Sequence, residues 1–235
     1  MSNPWFQFKQ FTVRHDLCAM KVGTDGTLLG AWVDVSGAKT ILDVGTGSGL
    51  IALMLAQRSE DALIDAIDTD ENACRQSEMN FALSPFVSRL RVVHGNFLHY
   101  FPLKACDLIV SNPPYFIDSL KSPDKQRTIA RHTDELPLNG LLEKSAQLLT
   151  AGGRLSLILP AERFGFVQDA AARTGFFLVR KTEVCAVENR PPKRVLLEYA
   201  RTFAPLAENK ICIETAHHTY SEEYRALTKD FYLKM

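Results

Sequence analysis

The sequence has no surplus of either charge. Its 235 residues include 27 Lys or Arg and 27 Asp or Glu, so the formal net charge is zero. A chain that coats nucleic acid is normally strongly basic, so any nucleic-acid partner must be held by local patches. Cysteine is sparse and irregularly spaced. The five cysteines (Cys18, Cys74, Cys106, Cys185, Cys212) are odd in number and form no CxxC pair. That argues against a disulfide framework or a zinc knuckle. The six histidines show no HxxxH spacing, and a reduced, metal-free protein is expected. Apolar runs such as Leu155–Pro160 fall far short of the roughly 18 residues of a membrane span. The start, Met1-Ser2-Asn3-Pro4-Trp5, has no basic region followed by an apolar stretch, so no secretory leader is expected and the cytoplasm is the expected location. No repeat or low-complexity tract is present.

What remains is ordinary for a globular domain: 46% apolar and 23% charged residues. From Thr40 the pattern becomes regular. Thr40–Val44, Leu63–Ile67, Leu90–Val93, Asp107–Val110 and Arg154–Leu159 read as buried strands. Leu50–Arg58, a segment from an Asp70 cap to about Phe81, Leu138–Leu149 and Ala161–Arg173 read as helices between them. Residues 116–135 read as a loop. Phe176–Val187 and Val195–Thr202 flank Arg190-Pro191-Pro192-Lys193 and read as an antiparallel hairpin. Lys210–Thr215 reads as one more strand and Ser221–Tyr232 as a helix capped by Ser221. The expectation is an α/β fold with a doubly wound, mostly parallel sheet and an antiparallel hairpin at one edge.

Two turns carry chemistry. Asp43-Val44-Gly45-Thr46-Gly47-Ser48-Gly49 joins the first regular strand to its helix. Glycines there let a ligand approach the backbone, and the helix start offers unpaired N–H groups. The spacing is GxGxG rather than the GxGxxG of dinucleotide sites. Asp68 ends the next strand, where a carboxylate can accept ribose hydroxyls. Asp43 would repel a pyrophosphate and suits a cationic ligand such as a sulfonium. The second turn is Asn112-Pro113-Pro114-Tyr115, after the fourth strand. Its prolines stiffen the backbone and remove donors, leaving the Asn112 side-chain oxygen and nearby carbonyls as a rigid pair of acceptors. Such a pair suits a planar amine, and Tyr115 could stack on a flat substrate.

Together, Asp43–Gly49, Asp68 and Asn112–Tyr115 resemble the class I S-adenosylmethionine-dependent methyltransferases that methylate amines, over about residues 22–160. The resemblance implies a Rossmann-like, seven-stranded sheet. It implies that Asp43, Gly45, Thr46, Gly47 and Gly49 hold the methionine part of S-adenosylmethionine, Asp68 its ribose, Asn96-Phe97 its adenine, and that Asn112 holds the target amine and also borders the cofactor. Asn96 replaces the acidic residue usual in the family. Thr24 and Asp25 would lie near the cofactor's carboxylate.

Relatives with this second turn methylate glutamine in release factors, guanine in ribosomal RNA, or adenine in DNA. They usually carry an extra domain for which there is little room here. Phe6–Phe11, Lys21–Trp32, Lys193–Glu198 and Tyr220–Leu233 are similar to the bacterial tRNA adenine-N6 methyltransferases that modify valine tRNA beside the anticodon. That resemblance implies a tRNA substrate and one domain over 1–235, expected to act as a monomer. Residues 1–38 would cover the cofactor site, 39–202 form the catalytic core and 203–235 the tail. Lys121, Lys125, Arg127 and Arg131 form one basic cluster and Arg190, Lys193 and Arg194 another; both could grip an anticodon loop. Protein-glutamine methylation and a non-catalytic nucleoside or RNA-binding module are the alternative readings. The Phe6–Phe11 cluster, His94, His99 and Cys106 are expected to be structural, and His217-His218 is not expected to bind metal.

Overall fold

The computed structural model describes residues 3–18, 20–114, 138–216 and 219–234. The expected loop 116–135 lies outside them, with Lys121, Lys125, Arg127 and Arg131, as do Tyr115 and the pair His217-His218.

A small antiparallel hairpin, β1 (Trp5–Gln7) and β2 (Thr12–Arg14), precedes helix α1 (Thr24–Trp32). Then come β3 (Thr40–Val44), α2 (Leu50–Arg58), β4 (Leu63–Asp68), α3 (Glu71–Ala82), β5 (Leu90–His94) and β6 (Cys106–Ser111). After the undescribed stretch follow α4 (Leu138–Leu148), β7 (Leu149–Pro160), α5 (Phe164–Arg173), β8 (Phe177–Val187), β9 (Arg194–Ala200), β10 (Ala207–Ala216), β11 (Thr219–Tyr220) and α6 (Glu222–Thr228). The main sheet has the order β11-β10-β8-β9-β7-β6-β3-β4-β5. β5, β4, β3, β6 and β7 run parallel, and β9 runs against both β7 and β8. These seven strands are the expected sheet with its hairpin. Among the described residues, β10 (parallel to β8) and β11 extend it to nine strands.

Both faces of the sheet are covered. One core combines α1, α2 and the chain ends, with Leu28, Leu53, Met54 and Phe231 buried in it. The other combines α4 and α5, with Leu141, Leu142 and Val167 against Leu155 and Leu157. The Asp70 cap is as expected: its side chain accepts from the Asn72 N–H at 2.9 Å. Helix α6 is shorter than the sequence pattern suggests, because the chain turns after Thr228 and brings Tyr232 back onto Phe8.

Helix α1 is not expected from the sequence, since Gly26 and Gly30 weaken helix propensity. The structure shows why glycine stands there. A Cβ on Gly30 would lie 2.7 Å from Met54 Sδ, so its absence lets α1 press onto α2. The far end of α1 is pinned to the sheet. Trp32 Nε1 donates to Thr182 Oγ1 at 2.8 Å, and the Arg180 guanidinium lies 3.6 Å from the Trp32 ring centroid. Arg180 also reaches buried Glu198 at 3.2 Å.

Phe8 and Phe11 are core, as expected of the N-terminal aromatics, while Phe6 is exposed. Phe8 is fully buried and stacks on Tyr232 at 5.8 Å, while Phe11 meets Phe86 edge-on. The Lys9 N–H donates to the Phe231 carbonyl at 2.8 Å, so the N-terminal hairpin and the last residues clasp each other.

Candidate active site

Strand register builds the site. Val44 pairs with Ile67 on one side and Ser111 on the other, and Ile67 pairs with Val93. The next residues outward are Gly45, Asp68, Asn112 and His94, on strands roughly 4.8 Å apart. The glycine loop and the Asn112-Pro113-Pro114 turn therefore leave neighbouring parallel strands at the same carboxyl edge. That edge is where open α/β sheets bind ligands. Ser111 Oγ donates to the Val44 carbonyl at 2.9 Å and ties the two strands together just below the site. The sequence offers a signal for Ser111, a lone hydroxyl ending the apolar run Leu108–Val110, but its role needs the neighbouring strand to be known.

The glycine loop is a shaped cradle. Gly45, Gly47 and Gly49 have φ of 72°, 56° and 80°, values that side-chain-bearing residues rarely adopt. A Cβ on Gly45 or Gly47 would meet no protein atom within 4 Å, whereas one on Gly49 would lie 2.5 Å from the Phe81 ring. The first two glycines keep space open for a ligand; the third lets α3 brace the loop from behind. Asn80, which the sequence reading does not single out, completes the brace. Its Nδ2 donates to the carbonyls of Ser48 and Arg14, and its Oδ1 accepts from the Arg14 N–H.

Asp43 sits under the loop and is wholly buried. Its Oδ2 accepts from Thr46 Oγ1 at 2.7 Å and from the Ala52 N–H at 3.2 Å, while Oδ1 has no partner. Burial pushes its carboxyl up to about 7, against the pull of those two donors. A raised carboxylate stays protonated in the fold while its unfolded counterpart ionises. Its contribution to stability is therefore complete below about pH 4 and is lost as pH rises toward 7. We expect Asp43→Asn to remove this component of the pH dependence in urea melts of the ligand-free protein between pH 4 and 8. A parent and variant with parallel pH profiles would assign the effect elsewhere. A cationic ligand favours the ionised form, so its affinity should rise through the same window.

Asp68 faces the loop across the strand ends. Its Oδ2 accepts from the Gly47 N–H at 2.8 Å and its Oδ1 from the Asp70 N–H at 3.0 Å. Burial raises its carboxyl despite these bonds. The 14–18 segment runs close by. The Leu17 N–H donates to Gln76 Oε1 at 2.9 Å. The Cys18 thiol is pushed up to about 12, by burial first and then by Asp68 and Asp70. Asn96 follows β5 and caps a short turn by accepting from the Leu98 N–H at 2.8 Å; the Phe97 ring is buried in the core below. His94 bonds the Thr69 carbonyl at 3.1 Å, and Cys106 is buried, both in the structural roles expected.

Thr24 and Asp25 begin α1 at the same edge, where Gly26 abuts Leu50 at the start of α2. Asp25 Oδ2 accepts from Arg194 Nε at 2.8 Å. Arg194, grouped by sequence with Arg190 and Lys193, is thus tied to the N-terminal segment. Arg190 and Lys193 remain exposed on the β8–β9 turn. Asn112 is half-buried, Pro113 buried and Pro114 exposed. Among the described residues, no three His, Cys, Asp or Glu side chains gather as a metal site requires.

The cradle, the orphaned Asp43 oxygen and Asp68 beyond the loop fit a ligand with a nucleoside part and a positive charge. Residues 18–165 match the model of the methyltransferase small domain family. The chain belongs to that family. Over its full length this methyltransferase is 52% identical to a Parabacteroides distasonis protein and 48% identical to one from Bacteroides thetaiotaomicron, covering each completely. Both are named tRNA1(Val) (adenine(37)-N6)-methyltransferase. Among solved structures, a predicted O-methyltransferase from Agrobacterium tumefaciens superposes with a TM-score of 0.67 at 19% identity, covering 88% of this chain and 96% of that one. A ribosomal protein L11 methylase from Lactobacillus delbrueckii reaches 0.55, also at 19% identity, covering 76% and 77%. These two show the fold of the methyltransferase.

Proposed function

We propose that the protein transfers a methyl group from S-adenosylmethionine to the exocyclic N6 of adenine 37, beside the anticodon of valine tRNA. One observation carries the chemistry: Asn112-Pro113-Pro114 leaves the strand next to the glycine cradle, in register with it. The full-length relatives support the choice of RNA. The cofactor supplies an electrophilic methyl on a sulfonium. Gly45 and Gly47 would leave room for its methionine end, Asp43 would offer that end a negative charge, and Asp68 would accept from its ribose. Thr24, Asp25 and Thr46 border this half, and Asn96 and Phe97 the adenine side. Asn112 Oδ1 and a neighbouring carbonyl accept the two N–H groups of the target amine. That draws the nitrogen lone pair out of the ring and aims it, so positioning supplies much of the rate. Tyr115 would stack on the adenine.

Residues 1–38 would cover the cofactor, a reading the 14–18 segment near Asp68 supports. All these groups come from one chain, which supports action as a monomer. A tRNA substrate supports a cytoplasmic location. Among the described residues, no helix is long and apolar enough to cross a membrane.

The test is transfer of labelled methyl to total tRNA and, separately, to release factors. N6-methyladenosine in valine tRNA is expected. Label on release factors alone would overturn the substrate assignment.

The RNA grip is assigned to Lys121, Lys125, Arg127 and Arg131 after Tyr115, and to Arg190, Lys193 and Arg194 on the hairpin. Arg190→Glu with Lys193→Glu should weaken tRNA binding and flatten its log–log salt slope by about 1–2. An unchanged slope in filter binding from low to moderate salt would remove this turn from the interface.

A further inference from the structure

A second cavity opens on the same edge of the sheet. It has a volume of about 790 Å³. The residues after β8, β10, β11 and the start of α6 border it, with Asn189, Lys210, Tyr220 and Arg225 among its lining. β8 and β10 run parallel to each other, and both run in the direction of β6, so their carboxyl ends share the edge that carries Asn112. Four strand spacings separate β6 from β10, roughly 19 Å. That is the length of about five to six stacked nucleotides at 3.4 Å each.

The lining is mixed in a way that fits a nucleotide. Tyr220 is 39% exposed, and its ring packs against that of Tyr224 at 5.2 Å between centroids, tilted by 41°. Arg225 Nε donates to the Tyr220 carbonyl at 3.2 Å, which ties that guanidinium to the Tyr220 main chain. Lys210 is exposed and lines the cavity as well. Glu188, Glu222 and Glu223 line the cavity too and can accept from exocyclic base amines, which leaves Lys210 and Arg225 as its two cations. The wall nearest Asn112 is the β8–β9 turn, which also bears Arg190 and Lys193. The Glu188 N–H is laced to the Glu214 carbonyl at 3.0 Å, so the turn is fixed to β10.

We infer that this cavity receives an unpaired nucleotide of the same RNA whose adenine reaches Asn112, with its base on Tyr220 and its phosphates between Lys210 and Arg225. This rests on the proposed function. It makes the cavity a specificity device: RNA that cannot fill both positions is held less tightly.

The test compares wild type, Tyr220→Ala, Tyr220→Phe and Lys210→Gln, each checked by thermal melting. Binding of an anticodon stem-loop RNA and steady-state methylation are both measured. Tyr220→Ala should weaken RNA binding and raise KM for tRNA about tenfold, with kcat and cofactor affinity unchanged. Tyr220→Phe should behave as wild type, and Lys210→Gln should flatten the salt slope by about 0.7–0.9. Equal RNA affinity in wild type and a folded Tyr220→Ala overturns the inference. If Tyr220→Ala melts early, an unchanged salt slope in Lys210→Gln overturns it instead. A wild type that methylates no tRNA, but binds RNA more tightly than Tyr220→Ala, would refute the proposed reaction and leave the cavity standing.

Discussion

Replacing Asn112 by alanine should lower turnover on tRNA by about 10²–10³-fold, measured with saturating S-adenosylmethionine. Cofactor affinity by calorimetry should stay within about threefold, because the cradle is built by β3, β4 and α3, and Asn112 follows β6. The separation is the informative part. Pro113 is buried and sets the path of the turn, so the variant keeps its backbone and loses only the amide. Its loss should appear in kcat, since an acceptor that aims the amine counts most at the moment of attack. Normal turnover in a folded Asn112→Ala protein would end the amine-methylation reading.

The second large effect contrasts two glycines two residues apart. Gly47→Ala should weaken cofactor binding by about 100-fold, because its methyl enters the open side of the cradle. Its stability cost should be about 1–2 kcal/mol, from the positive φ alone. Gly49→Ala carries that strain and also drives a Cβ into the Phe81 ring and Ser77. Overpacking adds about 1–3 kcal/mol, and for a chain of this size the sum lowers the melting temperature by roughly 5–15 °C. Calorimetry and thermal melts on both variants check the contrast. If Gly47→Ala binds cofactor normally, the ligand does not lie where Gly45 and Gly47 leave room.

The parts of the fold that were legible in the sequence are those set by local chemistry. Thr40–Val44 and Leu50–Arg58 have the observed bounds because an apolar run, a glycine loop and an uninterrupted helical stretch sit next to one another. Asp70 announces its cap by residue type. Helix α1 is hidden because Gly26 and Gly30 serve contacts with Leu50 and Met54, which only the folded chain reveals. The site is legible as two motifs, but their adjacency depends on Val44 pairing with Ser111. The Asp25–Arg194 pair joins residues 169 positions apart, and nothing local in either segment indicates it. The same holds for the cavity, which exists only because β10 and β11 extend the sheet beyond the hairpin.

The clasp between the chain ends constrains when the molecule can finish folding. Lys9 reaches the carbonyl of Lys229, 220 residues away, and Phe8 finds its stacking partner in Tyr232. During synthesis the first hairpin must wait, its aromatics uncovered, until the closing residues leave the ribosome. Such long-range closure is slow and leaves sticky surface exposed in the meantime. A nascent chain halted before Phe231 can therefore hold a finished sheet and still present Phe8 to a chaperone.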